Sequence, residues 1–113
     1  MQATIYHNPR CSKSRQTLAL LQEKGVHVEI IEYLKTPPDA TTLTNLLRLL
    51  DMSPRALMRK KEAKETGLDD PSLSDAALIE GMVANPKVIE RPIVVVDGKA
   101  RLGRPPEAVL DLV

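Results

Sequence analysis

The hydrophobic patterning of this 113-residue chain predicts an α/β fold: a four-stranded mixed sheet flanked by helices, with a helical insertion between a βαβ half and a ββα half. Three observations carry that prediction. "ATIYH" and "VHVEIIEY" read as short strands separated by one helix-length segment, the spacing of a parallel βαβ unit with its right-handed crossover. Residues 36–85 show helix signals and no strand pattern. In "IVVVDGKARL" the pair Asp97-Gly98 separates two strand-like runs, a strong hairpin signal.

The first strand, "ATIYH", is short and apolar. A helix follows over residues 12–24, with apolar positions at Leu18, Leu20 and Leu21, and Gly25 supplies a left-handed stop. In the second strand Val26, Val28 and Ile30 are expected on the buried face, with His27 and Glu29 opposite. Thr36-Pro37-Pro38-Asp39 predicts a helix start with Thr36 as the capping hydroxyl, and Leu43, Leu46, Leu47 and Leu50 mark its buried stripe. Ser53-Pro54 is expected to restart one helix running through "RALMRKKEAKETGL". A further helix is predicted over residues 75–85, capped by Ser74, stapled by Leu73 and Leu78 and stopped by Asn85-Pro86. The hairpin and a closing helix complete the chain. That order is the one found in thioredoxin-like folds, here as one domain over residues 1–113, with no internal repeat, low-complexity tract or linker.

Composition narrows the function. With two Tyr and no Phe or Trp, the core must be aliphatic, and no aromatic platform exists for stacking bases. The net charge of +1, with both signs interspersed, argues against nucleic acid or a membrane surface as partner. One cysteine makes no internal disulfide, and two widely spaced histidines with it form no metal-ligand set. His27 reads as a solvent-facing strand residue. No run approaches the length of a membrane span, and the start lacks a signal-peptide pattern, so the cytoplasm is the expected location. Nothing in the pattern demands an oligomer, and a monomer is expected.

The chemistry centres on "YHNPRCSKSRQTL", where Cys11 falls at the predicted N-terminus of the first helix. Helix-terminal amides and the dipole favour a thiolate there. Arg10, Lys13 and Arg15 surround it, His7 is near, and Asn8-Pro9 supplies a turn that holds the thiol at the strand end. These features read as a reactive, low-pKa thiol. A dithiol exchange site needs a second cysteine at the third position, which is Ser14; a Cys-x5-Arg phosphatase loop needs arginine where Thr17 stands. Arg59, Arg91 and Arg104 come from three separate segments and are candidates for convergence on an oxyanion, which guanidinium groups chelate in bidentate fashion.

Taken together, "YHNPRCSKSRQTL", "RALMRKKE", "ERPIVV" and "RLGRPPEAVLDL" resemble, in order and over nearly the whole chain, the ArsC-like arsenate reductase family coupled to glutathione and glutaredoxin. The resemblance implies reduction of arsenate to arsenite, with no tightly bound cofactor and glutathione as cosubstrate. It makes Cys11 the nucleophile and Arg59, Arg91 and Arg104 the oxyanion-binding arginines, with His7 helping to keep the thiol ionised. Asn8, Ser12, Ser14, Arg15 and Pro92 are assigned to the substrate-binding side, Pro92 at the position of a cis-proline. Two other readings share the Cys11 turn: a Spx-type regulator that binds RNA polymerase, and a glutathione-dependent thiol transferase. The missing second cysteine and the three arginines favour the enzyme over the regulator, and the transferase gives the arginines no role.

Overall fold

Strand β1 (Gln2–His7) turns Ala3, Ile5 and His7 into the protein, and this period-two pattern makes it the centre of the sheet. The computed structural model describes all residues, Met1–Val113. The chain packs as two compact units, one of residues Met1–Thr36 with Arg91–Val113 and one of Pro37–Glu90.

The first unit holds β1, α1 (Ser12–Glu23), β2 (His27–Glu32), β3 (Ile93–Val96), β4 (Lys99–Leu102) and a closing 3₁₀ coil (Pro106–Leu112). Its four-stranded sheet has the order β2-β1-β3-β4. β1 lies parallel to β2, with Ile5 opposite Ile30, and antiparallel to β3, with Ile5 opposite Val94. The hairpin forms as expected: Asp97 and Gly98 both take positive φ, 51° and 75°, the twist that two-residue turns require. Gly25, at φ 72°, ends α1. Ala3, Ile5, Leu21, Val26, Val94, Val96 and Val109 form one buried cluster, with Leu18, Val28 and Leu112 against it. Each fully buried aliphatic side chain contributes roughly 1.5–3 kcal/mol, which is how a core without Phe or Trp suffices.

Three expectations fail in this unit. Ile30, placed on the buried face by alternation, is 46% exposed, because β2 is an edge strand paired only with β1. The buried stripe of α1 is Ser14, Thr17 and Leu21, so two of its three fully buried positions are polar, while Leu18 and Leu20 are half-buried. The closing segment is also a 3₁₀ coil, burying Pro106 and Val109.

The second unit is the helical insertion: α2 (Ala40–Leu50), α3 (Pro54–Leu57), α4 (Lys60–Thr66), α5 (Asp75–Ala84) and a 3₁₀ turn (Pro86–Val88). Its core joins Leu43, Leu46 and Leu47 of α2 to Leu57, Leu78 and Met82. Asp39 caps α2 by accepting from the Thr42 N–H at 2.8 Å; Thr36 does not. Thr36 and Pro37 each precede a proline and are held off the helical region, and the Thr36 N–H is spent on the Glu32 carbonyl. The single helix expected after Ser53 is two helices. Met58 and Arg59 are extended, because Met58 pairs with Ile89 in an antiparallel bridge. The Arg59 N–H donates to the Val88 carbonyl at 2.7 Å, and the Glu90 N–H to the Leu57 carbonyl at 2.8 Å. Ser74 caps α5 as predicted.

Candidate active site

The chain leaves β1 at His7 and folds Asn8–Arg10 into a tight turn before α1. Asn8 builds that turn: its side-chain oxygen accepts from the Arg10 N–H at 3.0 Å, and its carbonyl accepts from the Cys11 N–H at 3.0 Å. The Arg15 guanidinium, one helical turn on, donates to the Pro9 carbonyl at 3.0 Å. The loop is therefore strapped from both sides, and Cys11 occupies the N-cap position of α1, half-buried and in extended conformation.

Burial alone would push the Cys11 thiol up, yet its pKa is lowered. The Ser14 N–H, the Arg91 guanidinium and the Lys13 N–H donate to the sulfur, and the Arg91 charge adds to them. Arg104 completes the set, its Nη2 standing 3.6 Å from Sγ. The backbone at Arg91 anchors the Arg104 side chain, whose Nε donates to the Arg91 carbonyl at 2.8 Å. Arg91 stands immediately before β3 and Arg104 just after β4, so the antiparallel hairpin, with Ile93 opposite Leu102, returns both to the end of the sheet where Cys11 sits. The Arg91–Pro92 and Arg104–Pro105 peptide bonds are both cis.

His7 acts one step behind the thiol. Its Nδ1 is 2.6 Å from the Ser14 hydroxyl, which also accepts from the Asn8 N–H at 3.1 Å. The Ser14 hydroxyl thus ties the imidazole to the turn that precedes α1. Burial lowers the His7 pKa, with Arg15 acting the same way and Glu32 opposing. Burial thus favours the neutral imidazole. It fixes Ser14, whose backbone amide reaches the sulfur.

The structure thus brings Cys11, Ser14, Arg91 and Arg104 together, with His7 behind Ser14. Asn8 and Arg15 frame the loop, Ser12 opens α1 at an exposed position, and Pro92 is buried. Arg59 belongs to the helical unit, where Glu62 at 3.1 Å and Glu90 at 2.9 Å hold its guanidinium. Those carboxylates outweigh the effect of burial and raise its pKa. Sequence reasoning missed the backbone amide of Lys13, the buried Thr17 and the close packing of Gly103, described below. No grouping of three or more His, Cys, Asp or Glu side chains suited to a metal ion occurs.

Fold and site together define a thioredoxin-like α/β protein with a single cysteine thiol beside two arginines at one end of the sheet. The chain belongs to the ArsC family, which it matches over residues 6–112. It is 63% identical over 115 residues to an uncharacterized protein, YfgD, of Escherichia coli K12, covering 99% of this chain and 97% of that one. It is 47% identical over 108 residues to the arsenate reductase of Neisseria meningitidis, covering 93% and 92% of the two chains. Among solved structures, an arsenate reductase from Vibrio cholerae superposes with a TM-score of 0.96 at 52% identity, covering 100% and 98%.

Proposed function

We propose that this protein reduces arsenate to arsenite through a covalent adduct on Cys11, with electrons from glutathione and glutaredoxin. The observation that carries the reading is the depressed Cys11 thiol with the Arg91 and Arg104 guanidinium groups on it, an arrangement that serves a nucleophile attacking an oxyanion. Arginine charge offsets the repulsion between thiolate and arsenate, and the amides of Lys13 and Ser14 hold the sulfur in line. The Cys11 sulfur forms a bond to arsenic and one arsenate oxygen leaves as water. The glutathione thiol then adds to the same arsenic and a second water leaves. A glutaredoxin thiolate attacks the glutathione sulfur, and the S–As electron pair passes to arsenic, taking it from As(V) to As(III). Water releases arsenite and the Cys11 thiol, and the mixed disulfide of glutathione and glutaredoxin carries away the oxidation.

Arg59 has the third oxyanion role in this reading on the strength of its place in the "RALMRKKE" motif. The test is NADPH consumption with arsenate, glutathione, glutaredoxin and glutathione reductase. Wild-type protein is expected to turn over, Cys11→Ser to be inactive, and Arg59→Ala to need more arsenate. Appreciable arsenate reduction by Cys11→Ser would end the proposed mechanism.

A further inference from the structure

Gly103 lies between β4 and Arg104, and its backbone does not adopt the positive φ that calls for glycine. What demands glycine is space. A Cβ at this position would stand 2.7 Å from Pro92 Cγ and 3.0 Å from Thr17 Cγ2, and nearer still to Thr17 Oγ1. Neither neighbour yields easily. Thr17 is completely buried on α1 and its hydroxyl donates to the Lys13 carbonyl at 2.8 Å. Pro92 is a buried ring whose carbonyl accepts from the Gly103 N–H at 3.0 Å.

We propose that Gly103 is a positioning residue for the arginine pair: its missing side chain lets the chain after β4 close onto Thr17 and Pro92, and this contact sets where Arg91 and Arg104 stand against Cys11. The residues on either side of the contact are the ones that matter. Arg104 follows Gly103, Arg91 precedes Pro92, and the carbonyl that holds Thr17 belongs to Lys13, whose amide serves the Cys11 sulfur. One close approach therefore registers the α1 amides against both guanidinium groups. The catalytic consequence rests on the function proposed above; the consequence for the thiol does not.

Gly103→Ala tests it. Restoring ordinary van der Waals separation takes a shift of roughly an ångström in Arg104 or Pro92. A misplacement of that size costs up to about 10²-fold in rate. Three quantities are read: the pH midpoint of Cys11 alkylation by iodoacetamide, protection of Cys11 from alkylation by arsenate or sulfate, and arsenate kcat/KM. The expected result is an alkylation midpoint moved up, at least about tenfold weaker protection, and kcat/KM lowered by a similar factor. Adding Thr17→Ala to Gly103→Ala should restore part of each. If Gly103→Ala lowers only the melting temperature, leaving midpoint and protection at wild-type values, Gly103 is mere packing and the inference is overturned. Where Gly103→Ala does not fold, Thr17→Ala alone decides by the same readouts, with weaker protection expected and unchanged protection overturning. A wild-type protein that shows anion protection but no arsenate turnover refutes the proposed function and leaves this inference to the alkylation data.

Discussion

Ser14→Ala separates the two tasks that one residue performs at the site. The hydroxyl is fully buried and meets two groups, His7 Nδ1 at 2.6 Å and the Asn8 N–H at 3.1 Å. His7 and Asn8 are themselves 6% and 7% exposed, so water cannot readily replace the lost partner. Leaving a buried polar group unsatisfied costs about 1–3 kcal/mol. With two groups orphaned, Ser14→Ala should lose roughly 2–6 kcal/mol, a large share of the ~5–15 kcal/mol that holds a domain folded. Alanine keeps the backbone amide that reaches the Cys11 sulfur. Thiol reactivity at neutral pH should accordingly fall far less than stability does. Urea unfolding gives the first quantity and the rate of iodoacetamide alkylation under native conditions gives the second. A stability loss below about 1 kcal/mol would refute the argument that this hydroxyl satisfies both buried groups. Alkylation that collapses while stability is retained would show that the hydroxyl, not the amide, serves the sulfur.

The other predictions concern charge. Because burial depresses the His7 pKa, the unfolded chain takes up a proton below about pH 6.5 that the folded protein refuses. Stability from this group is thus complete above pH 6.5 and declines as pH falls towards the folded value, by at most about 1.4 kcal/mol per pH unit. Urea midpoints from pH 7.5 to 5 should show this slope in wild type and lose its His7 component in His7→Gln; equal slopes in the two proteins would contradict it. Arg104 is exposed, so its charge acts on Cys11 across 3.6 Å through a largely aqueous medium, a contribution of about 1 kcal/mol. Arg104→Ala should therefore slow Cys11 alkylation at pH 7 about fivefold, and 1 M salt should narrow the gap between the two proteins. An alkylation rate equal to wild type at low salt would remove Arg104 from the thiolate's surroundings.

Elements whose signal is local were legible in the sequence. Asp97-Gly98, Gly25 and the Ser74 cap each depend on a few adjacent residues, and each appears where expected. The failures arose where distant chain decided the outcome. Nothing within "RALMRKKEAKETGL" breaks the helix at Met58; the interruption comes from pairing with Ile89, about thirty residues on. Ile30 alternates correctly, but edge position depends on strand order, which alternation does not encode. At the site, Cys11 was legible because its loop concentrates cations and turn residues in one stretch. Its meeting with Arg91 and Arg104 follows from the β3–β4 hairpin returning the chain to the same end of the sheet. His7 was legible as a neighbour of the thiol, but its burial and its hydrogen bond with the Ser14 hydroxyl have no sequence signature. The same holds for Thr17 and Gly103, since a polar residue on a buried stripe and a glycine with ordinary φ become meaningful only once they touch.

The third position after Cys11 is where a dithiol site keeps its second sulfur, and the structure gives a physical reason to expect no such partner here. Ser14 is completely enclosed, and its hydroxyl is committed to His7 and Asn8. The residue acts as scaffold, its amide donating to the Cys11 sulfur, while the sulfur itself stays half-buried beside the exposed Arg104. A thiol in place of that hydroxyl would lie in the same enclosed position, out of reach of solvent. The half-exposed sulfur is open to a thiol from solvent, and the arginines beside it would attract one that carries carboxylates, the part that the proposed function gives to glutathione. The enclosed serine, the half-exposed sulfur and the arginines beside it therefore support the proposed function, in which Cys11 is the nucleophile and an external thiol supplies the electrons that reduce arsenic.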